Sequence, residues 1–294
     1  MKYILFTITL IILSFNLNSQ ELIIEDGIYI EKPNIIDTNR HKYSIDNISY
    51  KLNKIFIYDY CYIDTNGVKY KFIRAKNSWT KENPLNLIKY SNADINTIDK
   101  IKITVSDYLK DFSSVDSTYS QTVFTYDYLN TLGQPADTAC RIFKKINPKY
   151  ERPCGDATTG VVDNFKNLWM HPPRDYTFKI LQLSPYPFYC LTDSINKWSW
   201  NFETGGFYLD ARWINHKELM QINYDYTRQV DEILETPLGK INCKVTIGLS
   251  NATYGANKLQ TSLKSYYNSK YGFVKLEYVN VNKSKLVIDL IEAK

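Results

Sequence analysis

The chain has 294 residues, 44% of them hydrophobic and 23% charged, with a formal net charge of +5. That balance excludes a disordered or supercharged chain, and only 11 Gly and 10 Pro exclude collagen-like and low-complexity classes. Lys and Arg are scattered, so the charge argues against a nucleic-acid partner; the densest run (Arg141, Lys144, Lys145, Lys149 and Arg152) reads as a solvated loop surface.

Residues 1–19 have the layout of a secretory signal peptide: Lys2, an apolar run from Tyr3 to Leu13, then a polar zone over Ser14–Gln20. The run is shorter than the roughly 20 residues that span a bilayer. No Cys lies near its end to carry a lipid. Cleavage after Ser19 gives an exported chain, either periplasmic, outer-surface or secreted. No later stretch has the length and hydropathy of a transmembrane span.

Residues 20–130 read as an N-terminal antiparallel β region. Lys54–Ile63 and Val68–Ala75 flank Asp64-Thr65-Asn66-Gly67, a strong hairpin signal. Ile101–Tyr108 and Thr122–Leu129 alternate with the period of a half-buried strand. Residues 131–200 form a less regular connection containing Cys, Pro and Trp. A short helix over Val161–Trp169 is expected there, ended by Pro172 and Pro173. Residues 201–294 read as an antiparallel meander. Its runs are Glu218–Gln229, Val230–Glu235, Lys240–Leu249, Lys258–Tyr267, Tyr271–Val279 and Leu286–Ile291, separated by short turns. The fold class is therefore all-β or β-dominated α+β: antiparallel sheets with a curved C-terminal meander, as a half-barrel or a sandwich. No Gly/Ser linker divides the chain, so the β regions can fuse.

The sequence has five Cys, and an exported chain permits disulfides. Cys140 and Cys154 bracket a polar, Pro-containing loop, and a bridge there would stabilise by about 3 kcal/mol. Cys190 and Cys243 form a second possible pair. Cys61 is then left over as a small buried residue of its strand. With no CxxC and only three His, no metal site is expected.

Two features bear on binding. Four of the five Trp and two of the three His fall between positions 169 and 216. Trp169, His171, Arg174, Trp198, Trp200, Trp213 and His216 would together offer stacking faces, an imidazole and a guanidinium, suited to a sugar, a peptide or an anionic small molecule. The competing interpretation is that these rings pack a core. The second feature is the 25 Tyr, most of them in alternating contexts such as Tyr58, Tyr60 and Tyr62. They suit half-exposed sheet, with rings packed and hydroxyls in water.

The segment ETPLGKINCKVTIGL, followed by YYNSKYGFVKLEY, resembles the C-terminal part of uncharacterised exported bacterial proteins. The matching residues are Thr236, Pro237, Gly239 and Cys243, then Tyr267, Gly272, Val274, Lys275, Glu277 and Tyr278. LWMHPPR (Leu168–Arg174) resembles a segment of the same kind of protein. These domains are similar in layout to periplasmic lipoprotein-carrier half-barrels. That resemblance implies a curved sheet around an apolar cavity, opening here near Trp198 and Trp200, and no catalytic residues.

Catalytic templates are missing. There is no G-x-S-x-G, H-E-x-x-H, Walker motif or G-x-G-x-x-G, and no cofactor is implied. Whether the chain is an enzyme stays open, with the balance against it. The expectation is an exported, non-catalytic binding protein of the cell envelope with an apolar or amphipathic ligand. Two alternatives stand beside it: an envelope hydrolase with its site near His171 and His216, and a structural or adhesion module. The sequence does not set the oligomeric state.

Overall fold

The computed structural model describes residues 22–25, 28–31, 47–73, 87–92, 98–106, 118–125, 157–163, 167–173, 178–205, 219–254 and 257–294. Short strands β1 (Leu22–Glu25) and β2 (Ile28–Glu31) form a separate hairpin. The other strands build one sheet. They are β3 (Ile55–Ile63), β4 (Lys69–Phe72), β5 (Leu87–Lys89), β6 (Lys100–Ser106), β7 (Thr118–Thr125), β8 (Ala157–Asp163), β9 (Asn167–Met170) and β10 (Phe188–Cys190). They continue as β11 (Lys197–Gly205), β12 (Leu219–Arg228), β13 (Glu232–Thr236), β14 (Gly239–Tyr254), β15 (Asn257–Asn268), β16 (Gly272–Val279) and β17 (Lys285–Ala293). The main path runs β10-β9-β8-β7-β6-β3-β17-β16-β15-β14-β12-β11. It is an open, mainly antiparallel sheet that does not close into a barrel.

The C-terminal meander follows from its sequence. Alternation sets each strand, and the turn residues set the reversals: Gly239 and Gly272 adopt φ values of 101° and 68°, which glycine reaches without strain. The sheet becomes continuous through β17, which pairs β16 on one side and β3 on the other. One row of directly opposed residues crosses seven strands: Tyr62, Leu286, Tyr278, Leu263, Gly248, Tyr226 and Trp198. Because side chains alternate strictly between faces, this row and its neighbours define one inner face. Phe56, Tyr58, Tyr60, Ile288, Leu276 and Tyr224 are buried on it.

Several expectations need correction. Val161–Trp169 is not a helix: β8 and β9 pair antiparallel there, with Val161 opposite Met170 and Asp163 opposite Leu168. Strand pairing on both sides of β8 outweighs a weak helical period, and the β-branched Val161-Val162 step suits a strand. The N-terminal region is not wholly antiparallel, since β6-β7 and β7-β8 pair parallel. Parallel neighbours cannot be joined by a tight hairpin, so local alternation does not reveal them.

The tyrosines also differ from expectation. Tyr58, Tyr60 and Tyr62 are only 1%, 1% and 2% exposed, while Cys61, expected to be buried, is half-exposed on the opposite face. The Tyr58 and Tyr60 hydroxyls find partners inside. Tyr58 donates to the Phe273 carbonyl at 3.0 Å, and Tyr60 to the Ile98 carbonyl at 2.6 Å. A buried hydroxyl with a partner avoids the desolvation cost that would otherwise keep it at the surface.

Cys190 and Cys243 are both free and buried, so the second expected pair does not form. The Cys243 thiol instead sits 3.6 Å from the Ile241 carbonyl. Burial, then Asp231 and Glu232, pushes that thiol up to about 11, which makes it a poor nucleophile. Cys140 and Cys154 lie outside the described residues.

The outer face carries charge. Asp59 lies opposite Asp289, and Asp289 opposite Lys275. Like charges directly opposed across strands are unfavourable, and two lysines answer them. Lys71, buried beneath the rings of Tyr60 and Tyr90, pairs with Asp59, and Lys275 lies 3.8 Å from Asp289. Burial, opposed by Lys275 and reinforced by Glu277 and Asp59, raises the Asp289 carboxyl above its ordinary value.

Candidate functional site: an aromatic inner face under a chain strap

Residues 178–190 cross the inner face as a strap. It starts with a 3₁₀ turn (Lys179–Leu181), passes through Pro185-Tyr186-Pro187 and ends as β10. The sheet beneath is lined by small residues: Thr246, Gly248, Ser250 and Ala252 on β14, and Thr261 and Ser265 on β15, all buried. Small side chains let another backbone approach closely. A Cβ on Gly248 would sit 2.8 Å from the Tyr226 ring and 2.9 Å from the Pro185 Cβ.

The strap is fastened through its carbonyls. Thr261 donates to Leu183 O at 3.0 Å, Tyr226 to Tyr186 O at 3.0 Å, and the Met170 N–H to Pro187 O at 3.1 Å. Arg228 clamps the far end: its Nη2 donates to Cys190 O at 2.7 Å and Thr192 O at 3.1 Å, and the guanidinium lies 5.2 Å from the Tyr189 ring centre. A lysine cannot reproduce this planar fork. Arg228→Lys should cost about 1–3 kcal/mol and speed amide exchange at residues 188–192. Unchanged exchange there would show that the clamp does not hold the strap.

Aromatic rings complete the arrangement. His171 sits between Trp169 and Tyr186, with ring centres 4.9 and 4.8 Å away. Tyr186 also meets Tyr224 at 5.8 Å. At the other end Trp198 stacks parallel on its cross-strand neighbour Tyr226, with centres 5.6 Å apart and planes 5° apart, and Phe188 packs edgewise on both. Tyr189 stacks on Tyr267 at 4.7 Å. The rings of β10, at one end of the strand path, thus meet rings of β11, β12 and β15, at or near the other. Side chains of β10 and β12 reach across the open sheet, with no strand pairing between its two ends.

Of the expected site residues, Trp169 and His171 share one ring cluster with Tyr186 and Tyr224, and Trp198 belongs to a second with Phe188 and Tyr226. Trp200 pairs with Tyr224 through the backbone, and its side chain lies outside the described residues, as do Arg174, Trp213 and His216. Trp169 and His171 are each 1% exposed, so they line no open cleft. Beside Trp198 the described inner face is packed by the protein's own rings and strap. Tyr186, Phe188, Tyr226 and Arg228 were not anticipated. The run Leu183-Ser184-Pro185-Tyr186-Pro187 held the signal, since a ring between prolines suits an extended segment that packs without sheet pairing before β10 begins.

Among the described residues, no group of three or more His, Cys, Asp or Glu side chains is placed to hold a metal ion, and no helix is long and apolar enough to cross a membrane.

No family model matches the chain, and no curated protein matches it. Two solved structures are similar at a low level. One is a candidate lipoprotein of Parabacteroides distasonis ATCC 8503, at 12% identity and a TM-score of 0.33, over 84% of this chain and 97% of that one. The other is a candidate exported protein with a YmcC-like fold from Bacteroides fragilis NCTC 9343, at 8% identity and a TM-score of 0.30, over 84% and 98%. Likeness at this level fixes neither fold nor role.

Proposed function

We propose that the chain is an exported, non-catalytic binding protein of the cell envelope, which takes an amphipathic ligand at the rim of its aromatic inner face. Export is supported by the leader-like residues 1–19. The observation that carries the binding reading is Trp198. Its ring is half-exposed and held flat by Tyr226 and Phe188, with the indole nitrogen on the buried side. A rigid, half-exposed ring suits the apolar face of an amphipathic ligand. His171, wedged between two rings and 1% exposed, favours this reading over a hydrolase centred on that imidazole.

The test uses the amphipathic dye 1-anilinonaphthalene-8-sulfonate on the folded protein. Saturable binding with energy transfer from tryptophan is expected, weakened roughly tenfold or more in Trp198→Ala, the loss of about 1.4 kcal/mol that one aromatic contact supplies. Unsaturable binding, or binding indifferent to Trp198→Ala, would overturn the rim site.

A further inference from the structure

A second, separate feature lies at the turn between β15 and β16. Two segments far apart in sequence are locked together there. Ser49 Oγ donates to Ser269 O at 2.9 Å, the Phe273 N–H donates to the Tyr50 hydroxyl at 3.2 Å, and the Tyr50 ring fills the space beside Gly272. Asp163 adds a further tie, its Oδ2 accepting the Ser49 and Tyr50 N–H groups at 2.8 and 2.7 Å.

Each segment delivers lysines to the same place. A tight turn, closed by the Lys54 N–H donating to Lys51 O at 3.1 Å and using Asn53 at a φ of 67°, brings Lys51 and Lys54 together. The β15–β16 turn contributes Lys270, whose carbonyl lies 3.4 Å from the Lys54 ammonium. The Lys270 ammonium lies 4.8 Å from the Tyr271 ring centre, and that of Lys54 6.0 Å from the Phe56 ring centre. Lys71, Lys244, Lys264 and Lys275 are each faced by a carboxylate. No ion pair among the described residues involves Lys51, Lys54 or Lys270. The nearby Asp163 already spends one oxygen on two backbone donors. Burial lowers the Lys54 ammonium below its ordinary range, the like charges of Lys51 and Lys270 lower it further, and Asp163 opposes them.

We infer that Lys51, Lys54 and Lys270 form a binding site for a phosphate group. Three ammonium groups carried on adjoining turns, none of them in an ion pair, repel one another until an anion enters, and the single charge of the nearby Asp163 offsets theirs only in part. A phosphate brings nearly two charges and three acceptor oxygens, and lysine binds it as a compact point charge. The group can arrive free or as a lipid headgroup. The site is independent of the Trp198 rim.

The experiment uses the full chain in phosphate-free, low-salt buffer. Inorganic phosphate is titrated by calorimetry, and flotation is measured with vesicles of phosphatidylglycerol or of phosphatidylcholine. One phosphate per chain is expected, with binding falling as salt rises. Lys54→Gln/Lys270→Gln should weaken it roughly tenfold or more. The exposed-site variant Lys51→Gln should weaken it less, and Lys258→Gln, at the opposite end of the β14–β15 hairpin, should leave it unchanged. Phosphate binding without preferential flotation on phosphatidylglycerol assigns the site to a free phosphate group. Preferential flotation without a phosphate response assigns it to a headgroup. No response to either, or binding unaltered in both Lys51→Gln and the folded double variant, overturns the site.

Discussion

Above pH 10 the protein should lose stability at roughly 5 kcal/mol per pH unit and be unfolded by about pH 12. The cause is the buried phenols. Tyr50, Tyr58, Tyr60 and Tyr278 are each no more than 1% exposed, and burial drives all four well above the ordinary 10.0. A phenol whose folded pKa stands above its unfolded one stabilises the fold fully below pH 10. That contribution is lost as pH rises past 10, because only the unfolded chain releases the proton. Each such group adds about 1.4 kcal/mol per pH unit. Tyrosinate absorbance and far-ultraviolet circular dichroism followed together check this. The two should change in one cooperative step for the buried set, and Tyr58→Phe should lower the slope by about a quarter. Tyrosinate forming in full near pH 10 with the sheet intact would refute the burial of these rings.

The second large effect is expected at Gly272. This residue combines a φ of 68° with a site where a Cβ would lie 2.6 Å from the Tyr50 ring. Gly272→Ala therefore meets two costs: roughly 1 kcal/mol for the left-handed backbone and about 1–3 kcal/mol for overpacking against a ring that cannot retreat. A total near 3 kcal/mol is expected in urea unfolding. Gly67→Ala is the control, because Gly67 has a φ of 82° and nothing within 4 Å of its Cβ position. It should cost only about 1 kcal/mol. Equal losses at the two positions would mean that Tyr50 does not wedge the β15–β16 turn.

These two predictions concern contacts that the sequence hides. The C-terminal strands were legible because alternation and turn residues are local properties. Thr236-Pro237-Leu238-Gly239 marks the β13–β14 reversal, and the runs on either side show their period. What local pattern cannot show is pairing across the chain. Nothing in IFIYDYCYI points to β17 as its neighbour, yet that pairing joins the two halves of the described sheet. The depth of the tyrosines was hidden for the same reason. Tyr58 is buried because its hydroxyl reaches the Phe273 carbonyl, a partner 215 positions away. The length of β14 was hidden by a change of face. Val245 and Thr246 are both buried, so alternation breaks mid-strand and the sequence appears to end where the strand continues to Tyr254.

The candidate site was legible in part. The crowding of Trp and His between positions 169 and 216 led to Trp169 and His171, which share one ring cluster, and to Trp198, which lies in another. Their exposure was not legible, because it depends on the strap. A segment rich in Pro reads as loop, and loops usually lie at the surface. Here the small residues Gly248, Ser250 and Thr261 open the inner face enough for that segment to pack inside, with its carbonyls satisfied by Thr261, Tyr226 and Arg228.

The central claim, an envelope protein with an amphipathic ligand at the Trp198 rim, is tested most directly by native mass spectrometry of the protein released from the envelope of its own cells. The account predicts a chain beginning after Ser19 that carries one small amphipathic molecule at low collision energy, and a Trp198→Ala chain from the same cells without it. A protein found only inside the cell, or a molecule retained equally by Trp198→Ala, would contradict it.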